Sequence, residues 1–164
     1  MKYAVTGTSQ GLGKYLAERY NAQCFSRASG YDITSSAGRR KIVENANFDV
    51  FINSARHGFA QTELLYDLYK EFKDTDKIII SIGSFGKEYY LQEKPYKYGI
   101  EKLALNEASK QLSVLETPLK FICLNFGYLE NKGGKVTFEM VGDFIDEHVK
   151  LANKYNIVES LLRY

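Results

Sequence analysis

The chain has 164 residues, a formal net charge of +2 and 26% charged residues, which suits one globular domain of ordinary composition. This charge is too small to indicate binding to nucleic acid or to an acidic membrane surface, and no apolar run reaches membrane-spanning length. Since a first strand is predicted from residue 2 and leaves no room for a signal peptide, we expect a cytoplasmic protein.

Short apolar runs alternate with helical patterns along the chain. Strands are predicted at residues 2–5, 23–25, 49–52, 77–82, 120–124 and 157–161, and a very short further strand could form at 31–33. Apolar residues at helical spacing predict the intervening helices, marked by Leu12 and Leu16, Leu64 and Leu68, Ile100 and Ala104, Val141 and Ile145, with a weaker helix over 36–46. This alternation predicts a single α/β domain over residues 1–164, a Rossmann-like doubly wound parallel sheet with helices on both faces.

The first strand is followed by a glycine-rich turn, TGTSQGLG, in which Gly7, Gly11 and Gly13 lead into a helix. Ligands of such sheets bind beyond the carboxyl ends of the strands. Glycines let the backbone approach a pyrophosphate closely, and the helix N-terminus offers free N–H groups to that anion. We interpret the turn as a dinucleotide site in preference to a merely structural one.

The choice of cofactor should be decided where the second strand ends. Ser26 and Arg27 stand there, where an acidic residue would bind a ribose 2′-hydroxyl. A hydroxyl and a guanidinium suit a 2′-phosphate, so NADP is predicted, with NAD as the alternative. The competing interpretation is that Arg27 is an ordinary surface arginine. Gln10 adds no positive charge and weakens this preference slightly, and Asp32 could meet the adenine edge.

Tyr98 and Lys102 are four residues apart, on one face of a predicted helix. The same spacing recurs at Tyr66/Lys70, Tyr69/Lys73, Tyr90/Lys94 and Tyr128/Lys132. Only Tyr98/Lys102 combines a helical setting with Ser84 at the end of the preceding strand and a glycine-rich turn earlier in the chain. A phenol beside an ammonium is a workable acid for carbonyl chemistry, because the positive charge favours the phenolate.

Taken together, these motifs resemble those of the short-chain dehydrogenases/reductases. They occur in the family's order over nearly the whole chain: Thr6-Gly7-x-x-x-Gly11-x-Gly13, Ser84 in IGSFG, and Tyr98-Gly-Ile-Glu-Lys102. The resemblance implies an NAD(P)-dependent interconversion of a small-molecule carbonyl and alcohol. Tyr98 would be the general acid/base, Ser84 would hold and polarise the substrate oxygen, and Lys102 would bind the nicotinamide ribose. The cofactor contacts expected on this basis are Gly7, Thr8, Ser9, Gln10, Gly11, Leu12, Gly13, Ser26, Arg27, Asp32, Asn53, Ser54, Ala55, Tyr98, Lys102, Phe126 and Gly127.

Several positions depart from the family's pattern. Where the family has NNAG, this chain has Asn53-Ser54-Ala55-Arg56; we favour a surface position for Arg56 over crowding of the cofactor or recognition of a substrate anion. No asparagine matches the family's active-site asparagine, and Gln61 stands nearest. The expected proline before Gly127 is absent, and no threonine follows soon after.

The parts that cover the substrate in the family are short in this chain. The second crossover is reduced to SRASGYDIT, and the segment after residues 120–124 to YLENKGGKVT. The pocket should therefore be open or completed by another subunit, and the family's pairing through the helices at 62–72 and 96–112 would give a homodimer or homotetramer. A dinucleotide-binding sensor or scaffold with little turnover is the alternative function.

Other kinds of site find little support. His57 and His148 are isolated, so a hydrolase triad is not indicated. Cys24 and Cys123 have no metal-ligand spacing and are predicted to be reduced core thiols, and no metal site is expected.

Overall fold

The structure is a computed structural model, and it describes residues 1–89, 95–152, 154–155 and 157–163. In these residues six strands alternate with five α-helices, in the order β1 (Tyr3–Thr6), α1 (Gly11–Arg19), β2 (Gln23–Phe25), α2 (Ser36–Asn45), β3 (Val50–Asn53), α3 (Ala60–Phe72), β4 (Ile78–Ile82), α4 (Lys97–Ser113), β5 (Lys120–Phe126), α5 (Phe138–Ala152) and β6 (Glu159–Leu162). Short 3-10 helices lie at Arg27–Ser29, Phe85–Tyr89 and Glu130–Lys132.

All described strands pair in parallel in one sheet, in the order β2-β1-β3-β4-β5-β6. The chain leaves β1 toward β2 on one side, then returns across it and continues from β3 toward β6 on the other. Strand β1 therefore lies next to the point where the strand order reverses, and ligands of such sheets bind in the crevice at that point. The predicted Rossmann-like fold is confirmed.

Each face of the sheet is covered by helices. Helices α2, α3 and α4 cover one face, where Phe51 and Leu64 are fully buried. Helices α1 and α5 cover the other, where Ile52 and Ile145 are fully buried. Successive residues of a strand point to opposite faces, so a strand between two helix layers is apolar at every position. The run Ile78–Ile82 is buried throughout and is apolar apart from Ser81.

The prediction of a very short strand at 31–33 is wrong. Residues 26–34 fold on themselves instead: the N–H of Tyr31 donates to the carbonyl of Ser26 at 2.9 Å, and Gly30 between them has a φ of 84°. The N–H of Thr34 then donates to the Asp32 carboxylate at 3.0 Å. Because these local hydrogen bonds occupy the backbone, β2 remains an outer strand of the sheet.

Cys24 is exposed, so its prediction as a core thiol is wrong, whereas Cys123 is buried as expected. Cys24 lies on the outer strand β2, where few residues are available to cover it. The Tyr90/Lys94 pair lies outside the described residues. In the described part of the chain, every helix is too short or too polar to cross a bilayer.

Candidate active-site cleft

A cleft of about 1160 Å³ opens at the carboxyl ends of the central strands. The three residues predicted to be catalytic, Ser84, Tyr98 and Lys102, all line it. It is also lined by most of the other residues predicted to contact a cofactor: Gly7, Ser9, Gln10, Gly11, Leu12, Gly13, Ser26, Arg27, Asp32, Ser54, Ala55, Phe126 and Gly127. Two of the predicted cofactor contacts, Thr8 and Asn53, do not line it, and Asn53 is fully buried behind its wall.

The glycine-rich turn forms one end of the cleft from backbone alone. Gly7 and Gly11 have φ values of 78° and 57°, which residues with a side chain rarely adopt. A Cβ on Gly13 would overlap the carbonyl of Gly7, so only glycine lets the helix begin so close to the turn. Gln10 provides no side-chain cap for α1, which leaves the first N–H groups of that helix available to an anion.

Thr6 joins the two sides of the strand-order reversal. Its fully buried hydroxyl oxygen accepts hydrogen bonds from the N–H groups of Ser54 at 3.0 Å and Ala55 at 2.9 Å. Ala55 in turn lies against the turn, because a Cβ on Gly7 would be 3.0 Å from its Cα. The sequence pattern contained Thr6 but did not assign it this role.

Two opposite charges line the cleft near the end of the second strand. Arg27 is exposed and Asp32 is half-buried. Hydrogen bonds from Thr34, with a smaller contribution from Arg27, hold the pKa of the Asp32 carboxyl below its ordinary value. The hydroxyl of Ser26 caps the following 3-10 helix, accepting from the N–H of Ser29 at 3.2 Å. Arg27 is therefore the group at this end that is best placed to receive a phosphate.

Ser84, Tyr96 and Tyr98 converge on Gly86. A Cβ on Gly86 would lie 3.0 Å from the Tyr96 hydroxyl oxygen, 3.1 Å from Ser84 Oγ and 3.1 Å from Tyr98 Cε1, so a residue with a side chain would push these groups apart. Ser84 Oγ accepts a hydrogen bond from the N–H of Gly86 at 3.0 Å, which leaves its own proton free to donate. The Tyr96 ring packs edge-on against that of Tyr98, with centroids 5.9 Å apart.

Lys102 is only 4% exposed. Its Nζ donates to the carbonyl of Ile82 at 2.7 Å and to Gln61 Oε1 at 2.8 Å, and lies 5.9 Å from the centre of the Tyr98 ring. Burial lowers the pKa of Lys102 to about 8; the nearby Arg56 also lowers it, whereas neighbouring acidic groups act in the opposite direction.

Gln61, the nearest match to the family's active-site asparagine, contacts Lys102 directly. Its Nε2 donates to the carbonyls of Asn53 at 2.6 Å and Ile82 at 3.2 Å, which fixes the amide with Oε1 toward Lys102. Asn53 Nδ2 donates back to the carbonyl of Gln61 at 2.9 Å. Asn53 thus supports the lysine site through Gln61, from behind the cleft wall.

Arg56 lines the cleft and does not project away from it. Its guanidinium carbon lies 5.0 Å from the centre of the Tyr98 ring, and its Nη1 lies 3.6 Å from Glu101 Oε2. The favoured prediction of a plain surface position therefore misses its contact with the catalytic tyrosine candidate.

A buried polar network holds Ser84 from behind, and sequence reasoning missed it. Asn125 Oδ1 accepts from the N–H of Ser84 at 3.1 Å, and its Nδ2 donates to Asn106 Oδ1 and to Glu159 Oε1, each at 3.1 Å. Glu159, on β6, forms an ion pair with Lys87, which lies three residues beyond Ser84. Strand β6 thereby supports the serine loop through side chains that are distant in the sequence.

The segment between β5 and α5 closes over the glycine turn. Leu129 and Val136 form an isolated bridge, and a Cβ on Gly11 would lie 3.3 Å from Asn131 Nδ2. Asn131 and Lys132 consequently line the cleft. The sequence predicted this segment only as a shortened substrate cover, and its return toward α1 was not predicted.

No protein-family model matches the sequence, and a comparison with curated proteins also finds no match. Solved structures do match. A short-chain dehydrogenase/reductase from Vibrio parahaemolyticus has a TM-score of 0.76 at 18% identity, over 98% of this chain and 99% of that one. L-sorbose reductase from Gluconobacter frateurii, complexed with NADPH and L-sorbose, has a TM-score of 0.72 at 14% identity, over 98% and 94%.

An NADH-dependent reductase responsible for alginate metabolism has a TM-score of 0.73 at 15% identity, over 99% of this chain and 94% of that one. At these identities the likeness establishes the fold, which is that of the short-chain dehydrogenases/reductases. The resemblance seen in the motifs therefore extends to the whole backbone.

Proposed function

We propose that this chain is an NADP-dependent oxidoreductase that interconverts a carbonyl and an alcohol by hydride transfer, with Tyr98 as the general acid/base. The observation that carries the proposal is the convergence of Ser84 and the Tyr98 ring on Gly86, inside the same cleft as Lys102 and the glycine-rich turn. The five tyrosine–lysine pairs of the sequence have equal spacing, and the Tyr98/Lys102 pair lies beside a serine in this cleft. L-sorbose reductase, which has the same fold and is solved with NADPH and L-sorbose, supports the same class.

A nicotinamide dinucleotide fits the residues present. The positive φ of Gly7 and the close approach of Gly13 leave room for a pyrophosphate against the backbone, at the uncapped end of α1. Arg27 would receive the 2′-phosphate of NADP, although the neighbouring Asp32 weakens its field. When bound, the cofactor supplies or accepts the hydride.

The side chains at the other end provide the proton transfer. Ser84 donates a hydrogen bond from its hydroxyl to the substrate oxygen and orients that oxygen toward Tyr98. Tyr98 gives its proton to that oxygen in reduction and takes it back in oxidation. Two of the three N–H donors of Lys102 are engaged by Ile82 and Gln61, so one remains for a ribose hydroxyl while the charge favours the phenolate.

A second candidate is a dinucleotide-binding sensor or scaffold with little turnover. The almost complete burial of Lys102 favours it, because a lysine already held by two acceptors has less freedom to follow a reacting substrate. The segment between β5 and α5, where the family covers its substrate, holds only a short 3-10 helix, Glu130–Lys132.

The experiment titrates the protein with NADPH and NADH by fluorescence, then follows NADPH consumption with a panel of small aldehydes and ketones. The proposal predicts NADPH binding, preferred over NADH, and turnover of part of the panel. Binding without turnover would favour the sensor. Absence of binding by either dinucleotide would remove both candidates, and a preference for NADH would correct the cofactor alone.

Assembly as a homodimer or homotetramer stays a prediction and belongs to the same proposal. Helices α3 and α4 pack side by side, and Phe59 and Ile100 expose 42% and 40% of their surface near the start of each. A second copy could cover these side chains. Light scattering of the purified protein, with and without NADPH, would measure the state.

A further inference from the structure

Arg56 places a positive charge at the reacting end of the cleft. Its side chain is 51% exposed, lines the cleft, and has its guanidinium over the Tyr98 ring at 5.0 Å. This contact uses the face of the ring and leaves the edges of the guanidinium, which carry the N–H donors, open to other partners.

The Glu101 carboxylate lies beside this guanidinium but does not occupy all of its N–H donors. The 3.6 Å contact between Arg56 Nη1 and Glu101 Oε2 is too long for a hydrogen bond. The Glu101 side chain is 8% exposed, and its Oε2 has no hydrogen-bond partner among the described residues. Since a guanidinium has five N–H donors, a single long contact leaves most of them for a ligand.

The charges that line the cleft favour an anion at this position. Among the described lining residues the cationic side chains are Arg27, Arg56, Lys102 and Lys132, and the only carboxylate is Asp32. The Asp32 carboxylate interacts with Arg27 and, more weakly, with His57. The net charge of the described lining is therefore positive, and the carboxylate in contact with Arg56, that of Glu101, lies outside the lining.

An oxyanion at Arg56 could come from the substrate or from a cofactor phosphate. A pyrophosphate already has a fitting site at the Gly7–Gly13 turn, where α1 offers N–H groups. The Arg56 side chain instead reaches Tyr98, which is the residue that would exchange a proton with the substrate. The substrate is thus the better source.

From this placement we infer that the substrate is an oxo acid or hydroxy acid whose carboxylate binds Arg56 while its reacting oxygen lies between Ser84 and Tyr98. This inference rests on the proposed function. In the reducing direction the carbonyl carbon gains the hydride of NADPH, and the π electrons of the carbonyl move to its oxygen. That oxygen takes the proton of Tyr98, whose phenolate regains a proton from solvent, and the dinucleotide is left as NADP⁺.

The test compares 2-, 3- and 4-oxo acids with their methyl esters, using wild type, Arg56→Gln and Arg56→Lys with NADPH. Wild type should prefer at least one acid over its ester. Arg56→Gln should lower kcat/KM for that acid about 10- to 100-fold, through KM, and leave the ester within about threefold, since a charge-assisted hydrogen bond is lost only for the acid. Arg56→Lys should be intermediate, because it keeps the charge without the planar fork.

Arg27→Gln is the matched control, because it removes an arginine from the opposite end of the same cleft. It should weaken NADPH binding and leave the preference for the acid unchanged. If wild type shows no preference for any acid, or if Arg56→Gln weakens NADPH binding instead, the inference is overturned. Thermal melting of each variant separates these outcomes from a loss of fold.

A binding measurement separates the inference from the proposed function. The same acids and esters are titrated into NADPH-bound Tyr98→Phe, with and without Arg56→Gln, and nicotinamide fluorescence is followed. Arg56-dependent binding of an acid without turnover in wild type would sink the enzyme proposal and retain the anion site. Absence of acid binding would overturn the anion site, and absence of NADPH binding would remove both.

Discussion

At one end of the cleft the binding surface is backbone from a single turn, and at the other it consists of side chains from several elements. The turn depends on Gly7, Gly11 and Gly13, which lie close together in the sequence. The reacting end joins Ser84, which follows β4, to Tyr98 on α4, with support that comes from as far as β6. A substitution in the turn should therefore impair cofactor binding, whereas one in the support should impair turnover.

Gly13→Ala should produce the largest effect and break the turn. Its Cβ would overlap the carbonyl of Gly7, so α1 must move away from the pyrophosphate site. We expect NADPH affinity to fall by about 100-fold or more, because a close backbone approach cannot be replaced by a side chain. Fluorescence titration measures this.

Gly133→Asn is the control for that variant. Gly133 also has a positive φ, of 75°, but a Cβ there would meet nothing within 4 Å, and asparagine tolerates this conformation. Its NADPH affinity should stay close to that of wild type. Equal losses in the two variants would contradict the steric explanation.

Asn125→Ala should impair the reacting end without changing the turn. The Asn125 side chain is fully buried, and its loss removes the acceptor of the Ser84 N–H. It also removes the hydrogen-bond donor to Asn106 and Glu159. We expect the free energy of unfolding to fall by about 2–4 kcal/mol, and kcat to fall with it, because Ser84 loses its support. Urea denaturation and kcat measure these effects, and an unchanged kcat in a destabilised protein would limit Asn125 to a structural role.

Gln61→Leu should shift the pH dependence of turnover. Activity needs the charged form of Lys102 and should decline as the pH rises through about 8, the lowered pKa of that residue. Gln61 accepts a hydrogen bond from the ammonium and so favours its charged form; removing it should lower this pKa and move the alkaline limb to lower pH. Gln111→Leu, which removes a glutamine outside the cleft lining, should leave the limb in place, and a limb unmoved in Gln61→Leu would exclude the coupling.

Asp32→Asn should have the smallest effect and sharpen the cofactor assignment. It removes a negative charge that acts on Arg27 from a partly exposed position in the cleft, so NADPH affinity should rise about two- to fivefold at low salt. NADH affinity should change less. If NADH binding falls strongly instead, Asp32 is a ribose ligand and NAD is the better assignment.

The parts that the sequence predicted are those with local patterns. Strand and helix periodicity predicted every strand of the sheet, and the glycine turn and the Ser84/Tyr98/Lys102 set were identified from short motifs. The strand considered at 31–33 does not form, because the backbone there makes local hydrogen bonds to Ser26 and Asp32 that the apolar pattern does not reveal.

The supporting contacts could not be predicted in this way. Asn125 meets Ser84 across 41 residues, and Lys87 meets Glu159 across 72. Such pairs have no fixed spacing, because only the order of the strands brings them together. The position of Arg56 over Tyr98 likewise depends on how the loop after β3 folds toward α4.

The most direct test of the central claim is the rate of NADPH oxidation by Tyr98→Phe beside Tyr66→Phe. Tyr66 also has a lysine four residues later, but it does not line the cleft. With a carbonyl that wild type reduces, Tyr98→Phe should bind NADPH normally and lose at least about 100-fold in kcat, as expected when a general acid is removed. Tyr66→Phe should retain wild-type kcat. Turnover by Tyr98→Phe at the wild-type rate would contradict the account.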